Sequence, residues 1–329
     1  MEKRKLGRSN IEISAMGLGC YAAGGHITVE GQPSAYGNRC DDDEVVRSLR
    51  VGFDSGVNFV DTSDVYGCGH AERLLRKAIG ARRDSVVVAT KFGFTYNEAT
   101  REVGQPNNTP DYIRQACELS LRRLGTDYID LYQYHVSDDI KGALVVMETL
   151  ERLVEEGKIR SYGWSTVTTE AATLFASGAN CVAIQHPMNI FEREVGITAL
   201  CEEENLASIC RAPLAMGLLT GKFTKDTRFA DDDIRSGMWN LSIAERPEAR
   251  VFEKIETIKE LLTMDGRTLA QGALGYLWAK SENHIPIPGF TSVRQVKENI
   301  GALEFGLIEE RIVNEINELV GECPGFTCA

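Results

Sequence analysis

The residues of this sequence best placed to do chemistry are an acid, a phenol, a lysine and a histidine: Asp61, Tyr66, Lys91 and His135. Asp61 and Tyr66 lie in Asn58-Phe59-Val60-Asp61-Thr62-Ser63-Asp64-Val65-Tyr66-Gly67, where an apolar, β-favouring start gives way abruptly to acids, hydroxyls, a phenol and glycine. Lys91 ends the run Ser85–Lys91 and His135 the run Tyr128–His135, both of which read as strands. Each of the four has an ordinary structural explanation: an ion pair for Asp61 and Lys91, a rim aromatic for Tyr66, a core imidazole for His135. All four at the same end of consecutive strands form an acid–base set. A free phenol has a pKa of about 10, too high for a proton donor and acceptor at neutral pH. A neighbouring ammonium lowers it, and an acid beside the lysine keeps that lysine charged and oriented. A histidine at the same mouth can hydrogen-bond a carbonyl oxygen. Such a set polarises a carbonyl and protonates the alkoxide formed when hydride arrives.

Strands must carry these residues to one place. Arg4–Ser14, with its turn-like Gly7-Arg8-Ser9-Asn10, predicts a hairpin, and Ala15–Cys20 a short buried strand. The segment Tyr21–Cys40 reads as a long loop, and Asp41–Asp43 as the cap of a helix. From there strand and helix alternate. Strands are expected at 57–61, 85–91, 128–135, 158–165, 181–185, 207–210 and 284–289, nearly all followed by helices. Thr109 is expected to cap one helix, with Pro110 at its first position, and two amphipathic helices are expected between Glu248 and Lys280. About eight strand–helix units without a Pro/Ser-rich linker predict one domain over residues 1–329, a (β/α)8 TIM barrel with an N-terminal β-hairpin. The competing doubly wound sheet is rejected. Gly17-Leu18-Gly19-Cys20-Tyr21-Ala22 matches a dinucleotide fingerprint in letters, but no helix follows it. Gly217–Phe223 is one residue short of a phosphate loop and has Phe223 where Ser or Thr is needed.

The 329 residues are 43% hydrophobic and 26% charged, with a formal net charge of -12, which speaks against a nucleic-acid partner. The odd count of 9 cysteines, none in CxxC spacing, predicts free thiols in a reducing compartment. No apolar h-region follows the basic start and no apolar run reaches membrane-spanning length, so a cytoplasmic location without membrane association is expected. No metal is expected.

The chemical residues and their flanks resemble the aldo-keto reductase superfamily over nearly the whole chain. The supporting stretches are Asn58–Thr62 with Tyr66-Gly67, Thr90-Lys91, the long run Leu121–Gln133 leading to His135, and Gly157–Arg160. Gly163, Ser165, Gln185, Gly217–Lys222, Ile287-Pro288-Gly289 and Glu298-Asn299 complete them. The 217–222 loop is similar to that of the bacterial branches that include potassium-channel β-like proteins. The resemblance implies a barrel binding NADPH at the strand C-termini, with NADH left open, and Tyr66 as general acid beside Asp61, Lys91 and His135. It implies that Ser165, Thr166 and Gln185 surround the nicotinamide, and that Arg211 stands where an aromatic ring usually stacks on it. It implies that Leu214, Gly217, Leu219, Gly221 and Lys222 follow the pyrophosphate, and that Pro288, Gly289, Thr291, Ser292, Gln295, Glu298 and Asn299 enclose the adenosine phosphate.

Three positions depart from the family pattern: Arg211 replaces the aromatic, Thr166 replaces Asn, and Thr291 and Ser292 replace a basic residue, with Arg294 the nearest cation. A cation at 211 would favour an anionic substrate or shift the redox balance. The expected substrate is a small or medium aldehyde or ketone, walled by Tyr21–Cys40, Phe92–Tyr96, Trp164 and Met238-Trp239. Two other readings follow from the resemblance: a cofactor-sensing regulatory subunit with little turnover, and a sugar or cyclitol alcohol dehydrogenase using the same site in reverse. Self-association is left open. Cys68, close to Tyr66, raises a redox switch against an ordinary loop thiol.

Overall fold

The computed structural model describes residues 3–34, 40–192, 196–224, 226–236 and 249–321, with the side chains of 249–251 left aside. Eight short strands run parallel: β1 (Gly17–Gly19), β2 (Phe59–Asp61), β3 (Val87–Phe92), β4 (Leu131–Tyr134), β5 (Tyr162–Ser165), β6 (Cys181–Pro187), β7 (Ala207–Arg211) and β8 (His284–Pro286). Each pairs with its sequence neighbour from β1 through to β8. Gly19 N donates to Pro288 O at 3.1 Å, and a parallel bridge joins Gly19 to Gly289, so the first and last strands meet. That closure needs glycine, because a Cβ on Gly19 would lie 2.6 Å from the Ile287 carbonyl oxygen. The result is the (β/α)8 barrel, with the hairpin Lys3–Lys5 and Glu12–Ser14 in front of it.

Period-two alternation sorts the side chains. Phe59, Val87, Ala89, Leu131, Ala183, Ala207, Ile209 and Ile285 pack with Leu6 and Ile13 of the hairpin, which therefore plugs the N-terminal end of the barrel. Val60, Val88, Tyr132, Tyr134, Ile184 and Cys210, one step out of phase, join the larger core shared with the helices. The apolar inward residues stop short of the C-terminal mouth. There the same phase brings Asp61, Lys91, Gln133 and Gln185 inside.

The helices start where side-chain acceptors are available: Asp41 Oδ1 accepts from Glu44 N at 2.8 Å, and Thr268 with Gln271 forms a capping box. Three expectations need correction. Thr109 stands at the N-cap of Pro110–Leu124, but its hydroxyl donates to Asn107 at 2.8 Å and caps nothing. The helix Leu269–Lys280 is buried on almost every face, because it is packed between the barrel and the helix Val293–Phe305, and is not amphipathic. The stretch after β1 is not all loop: Thr28–Val29 and Gln32–Pro33 pair with Glu102–Pro106 and Phe94–Asn97 in a small four-stranded sheet beside the mouth. Such two-residue strands carry no period for a sequence to display. Among the described residues no helix is long and apolar enough to cross a membrane.

His186 follows Gln185 and so lies in the outward phase. Its Nε2 is 2.7 Å from Ser208 Oγ and its ring 6.4 Å from that of His284, and burial, His284 and Arg211 depress its pKa to about 3. The unfolded chain takes up this proton at about 6.5, whereas the folded chain refuses it until about 3. The stability it contributes is therefore complete above about pH 6.5 and is lost as pH falls from there toward 3. Thermal unfolding between pH 7 and 5 should show a falling midpoint for the wild type and a shallower fall for His186→Gln. Equal slopes would contradict this assignment.

Candidate active site

Lys91 organises the mouth. Its side chain is fully buried, and Nζ donates to Asp61 Oδ2 at 2.6 Å, to the Thr62 carbonyl at 2.8 Å and to Tyr66 Oη at 3.2 Å. Three donations use all the hydrogens an ammonium has. Asp61 is fixed in turn from across the barrel: its Oδ1 accepts from Gln133 Nε2 at 3.1 Å and from Gln185 Nε2 at 2.8 Å. Four strands thus converge on one carboxylate. Tyr66 reaches Lys91 because Thr62–Gly69 folds tightly behind it. Gly67 has φ +63°, and a Cβ there would lie 2.1 Å from the Gly24 carbonyl oxygen. His135 sits just beyond β4, its ring 6.0 Å from that of Tyr66 and nearly perpendicular to it.

The electrostatics fix the protonation states. Burial opposes charge on Lys91, but Asp61 and Tyr66 outweigh it and hold the ammonium above its usual range. Burial dominates at Tyr66 and raises its pKa, although Lys91 and Arg211 pull the other way. This reverses the expected net lowering: Lys91 acts in the expected direction, but desolvation of the ring at the mouth is larger. Tyr66 is therefore a neutral phenol, the form that can donate a proton. Burial, Lys91 and Arg211 hold His135 well below the imidazole range, so its ring is neutral.

After Arg211, at the end of β7, the backbone enters left-handed conformations at Ala212 (φ 50°), Ala215 (φ 49°), Met216 (φ 53°) and Gly217 (φ 99°). Such turns gather backbone N–H groups into an anion-binding concavity. Gly217 is required there, since a Cβ would meet the Phe223 ring at 2.8 Å. Next to this loop Lys222 loses proton affinity through desolvation and through the charges of Arg235 and Arg294. Lys222 and Arg294 are exposed, and cations that act on one another across such a surface attract a phosphate. Arg235, which forms a two-point pair with Asp233 at 2.8 and 2.6 Å, is an addition to the residues read from the sequence. Gln133 is another, and its inward phase two residues before His135 was the signal for it.

The other residues expected to hold the cofactor have varied engagements. Ser165 pairs in register with Gln185, whose amide is already bonded to Asp61 and Gln133. Thr166 Oγ1 donates to the Ser137 carbonyl at 2.5 Å, so it holds a neighbouring loop. Leu214, Leu219 and Gly221 belong to the 214–221 turn. Pro288 and Gly289 close the barrel, and Asn299 Nδ2 donates to the Gly289 carbonyl at 3.4 Å. Thr291 donates from N and Oγ1 to Gln295 Oε1 at 2.6 and 3.0 Å, while Ser292 caps the helix Val293–Phe305. Glu298 lies within electrostatic reach of Lys222.

The expected pocket walls divide. Tyr21 stands edge-on to Tyr66, with ring centroids 5.1 Å apart, and Phe94 edge-on to His135 at 6.0 Å. Trp164 and Phe92 point the other way, into the core between barrel and helices, where Trp164 Nε1 donates to the Val136 carbonyl. Tyr96 packs over the Arg123 guanidinium. Met238 and Trp239 lie outside the described residues. Cys68 is buried and its thiol is pushed up to about 11, which fits the ordinary thiol better than a redox switch.

A family model described as the Aldo/keto reductase family matches residues 15–320. The chain is 33% identical over 326 residues to "Aldo-keto reductase yakc [NADP(+)]" of Schizosaccharomyces pombe, covering 96% of this chain and 90% of that protein. Among solved structures it is similar to the glycerol dehydrogenase AKR11B4 from Gluconobacter oxydans, with TM-score 0.84, 28% identity and coverage of 97% and 94% of the two chains. It is also similar to an aldo-keto reductase from Klebsiella pneumoniae in complex with NADPH, with TM-score 0.72, 26% identity and coverage of 99% and 98%.

The ion pair yields a stability test. Asp61→Leu leaves the Lys91 ammonium buried without its carboxylate, which should cost about 3–5 kcal/mol. Adding Lys91→Met should recover most of that loss, since a matched apolar pair strands no charge. Urea unfolding of the single and double variants measures both. Additive losses would show that the two side chains are not coupled.

Proposed function

The chain belongs to the aldo/keto reductase family, and from that premise we propose that it reduces an aldehyde or ketone to the alcohol at this site, with NADPH as cofactor and Tyr66 as proton donor. The observation that carries the reading is the fully buried Lys91 ammonium bonded at once to Asp61 and to the hydroxyl of the half-buried Tyr66. NADPH, when bound, supplies the hydride. Tyr66 Oη, already turned toward Lys91 Nζ, donates its proton to the carbonyl oxygen as negative charge develops there. Lys91 stabilises the phenolate left behind, and Asp61 keeps Lys91 from giving up its own proton. His135, being neutral, can donate one ring N–H to the same oxygen. Tyr21 and Phe94 flank the place a small carbonyl compound would take.

Two observations bear on specificity. The repelling cations Lys222, Arg235 and Arg294 support a cofactor with more phosphate charge, hence NADPH over NADH. The positive field of Arg211 reaches both Tyr66 and His135, and supports a substrate carrying an anionic group beside its carbonyl. The similarity to a protein named glycerol dehydrogenase favours a second reading, oxidation of a polyol by the same residues in reverse. The neutral state of Tyr66 favours reduction, and the complete Asp61–Tyr66–Lys91–His135 set weighs against a purely regulatory subunit.

NADPH oxidation against a panel of aldehydes and ketones tests the reaction. Tyr66→Phe should lower kcat about a hundredfold or more with little change in NADPH affinity. A wild type no faster than this variant on every carbonyl would overturn the proposal. Fluorescence titration tests the cofactor: Arg294→Ala should weaken NADPH binding about tenfold while leaving NADH unchanged. Equal weakening of both would remove the argument from the cation cluster.

A further inference from the structure

Behind His135 lies a short polar chain that the proposed reaction leaves unused. Ser63 Oγ is 3.3 Å from His135 Nδ1 and 3.3 Å from Asp64 Oδ1. Ser63 and Asp64 are completely buried. Asp64 Oδ2 is buried as well and meets no hydrogen-bond partner. The charged groups with the strongest influence on Asp64 are Glu72 and Arg123, and Arg123 Nε is turned to Glu72 at 2.6 Å. Tyr96, Tyr112, Tyr132 and Cys68 face it from the surrounding elements.

A serine hydroxyl has one hydrogen to give. If Asp64 were a carboxylate, Ser63 would donate to it and could only accept from His135 Nδ1–H. His135 Nε2 would then carry a lone pair, which cannot donate to a carbonyl. If Asp64 is an acid, its O–H donates to Ser63 Oγ, the serine hydrogen turns to His135 Nδ1, and the ring proton resides on Nε2. We propose that Ser63 and Asp64 are positioning residues that fix the tautomer of His135, Asp64 donating to Ser63 and Ser63 to Nδ1, so that Nε2–H is presented to the substrate. A carboxylate oxygen stranded without a partner beside a second buried carboxyl is costly, whereas an acid carbonyl oxygen in that place costs much less. Burial and Glu72 push Asp64 well above the usual carboxylate range, in agreement. The presented N–H matters to catalysis only if the carbonyl reduction proposed above is correct, but the tautomer can be read without turnover.

The test combines 15N NMR of histidine-labelled full-length protein with kinetics. The chain has 5 histidines, so the ring signals are few, and His135→Gln assigns the one of interest. Wild type should show protonated Nε2 and bare Nδ1 at His135. Ser63→Ala should show a mixture and lose kcat about tenfold, with the KM for NADPH unchanged. Asp64→Asn, whose amide can still donate to Ser63, should keep the Nε2–H signature and rescue most of the activity that Asp64→Val loses. Protonated Nδ1 in the wild type, or Asp64→Asn behaving as Asp64→Val in the spectrum, would overturn the assignment. Absence of carbonyl-dependent NADPH oxidation in the wild type would count against the reduction reading, and the spectrum would still decide the tautomer.

Discussion

A lysine ammonium buried without water is costly, by several kcal/mol, unless every hydrogen finds an acceptor and a counter-charge is close. The mouth of this barrel is arranged around that constraint. Lys91 meets it with Asp61, the Thr62 carbonyl and Tyr66, and Asp61 is held by Gln133 and Gln185 from strands across the barrel. Because Asp61 is tied from three sides, Lys91 cannot swing away or give up its proton cheaply. Because Lys91 stays charged, the phenolate that the proposed reaction makes of Tyr66 has a partner waiting. Desolvation keeps Tyr66 protonated until then. The geometry the proposed reaction uses and the local stability are thus the same set of bonds.

The scaffold supplies this arrangement through alternation. β2, β3, β4 and β6 each place an apolar residue inward near the hairpin plug and a polar one inward near the mouth, over only a few residues. Much of the run Leu121–His135 that carries the family resemblance serves the scaffold. Gly125 ends its helix in the left-handed conformation at φ +67°. Asp130 accepts from Arg83, Arg160 and the Val88 amide, which ties β4 to its neighbours below the site.

The strands and the four central residues were legible because the sequence changes character sharply where each strand meets the mouth. Asp61, Lys91 and His135 stand at such junctions, and the eightfold strand–helix rhythm points to one architecture. Features set by phase or by environment were harder to read. Trp164 and Phe92 look like pocket aromatics beside Ser165 and Lys91, but one residue of offset turns them outward. The net state of Tyr66 depends on how much water its ring loses, which the residue types around it do not reveal. The charge of Arg235 acts on Lys222 only through the tertiary fold, and Ser63 and Asp64 are plain loop polarity in the sequence, their link to His135 being made by folding.

Three groups at this site hold one protonation state through neutrality: His135 is already neutral, Lys91 stays charged and Tyr66 stays a phenol. Single-turnover oxidation of enzyme-bound NADPH by an aldehyde, followed by stopped flow across pH, isolates the chemical step. The rate should be flat from about pH 6.5 to about 9, with loss only on the alkaline side as the phenol ionises. A rate that changes tenfold per pH unit around 7 would contradict it.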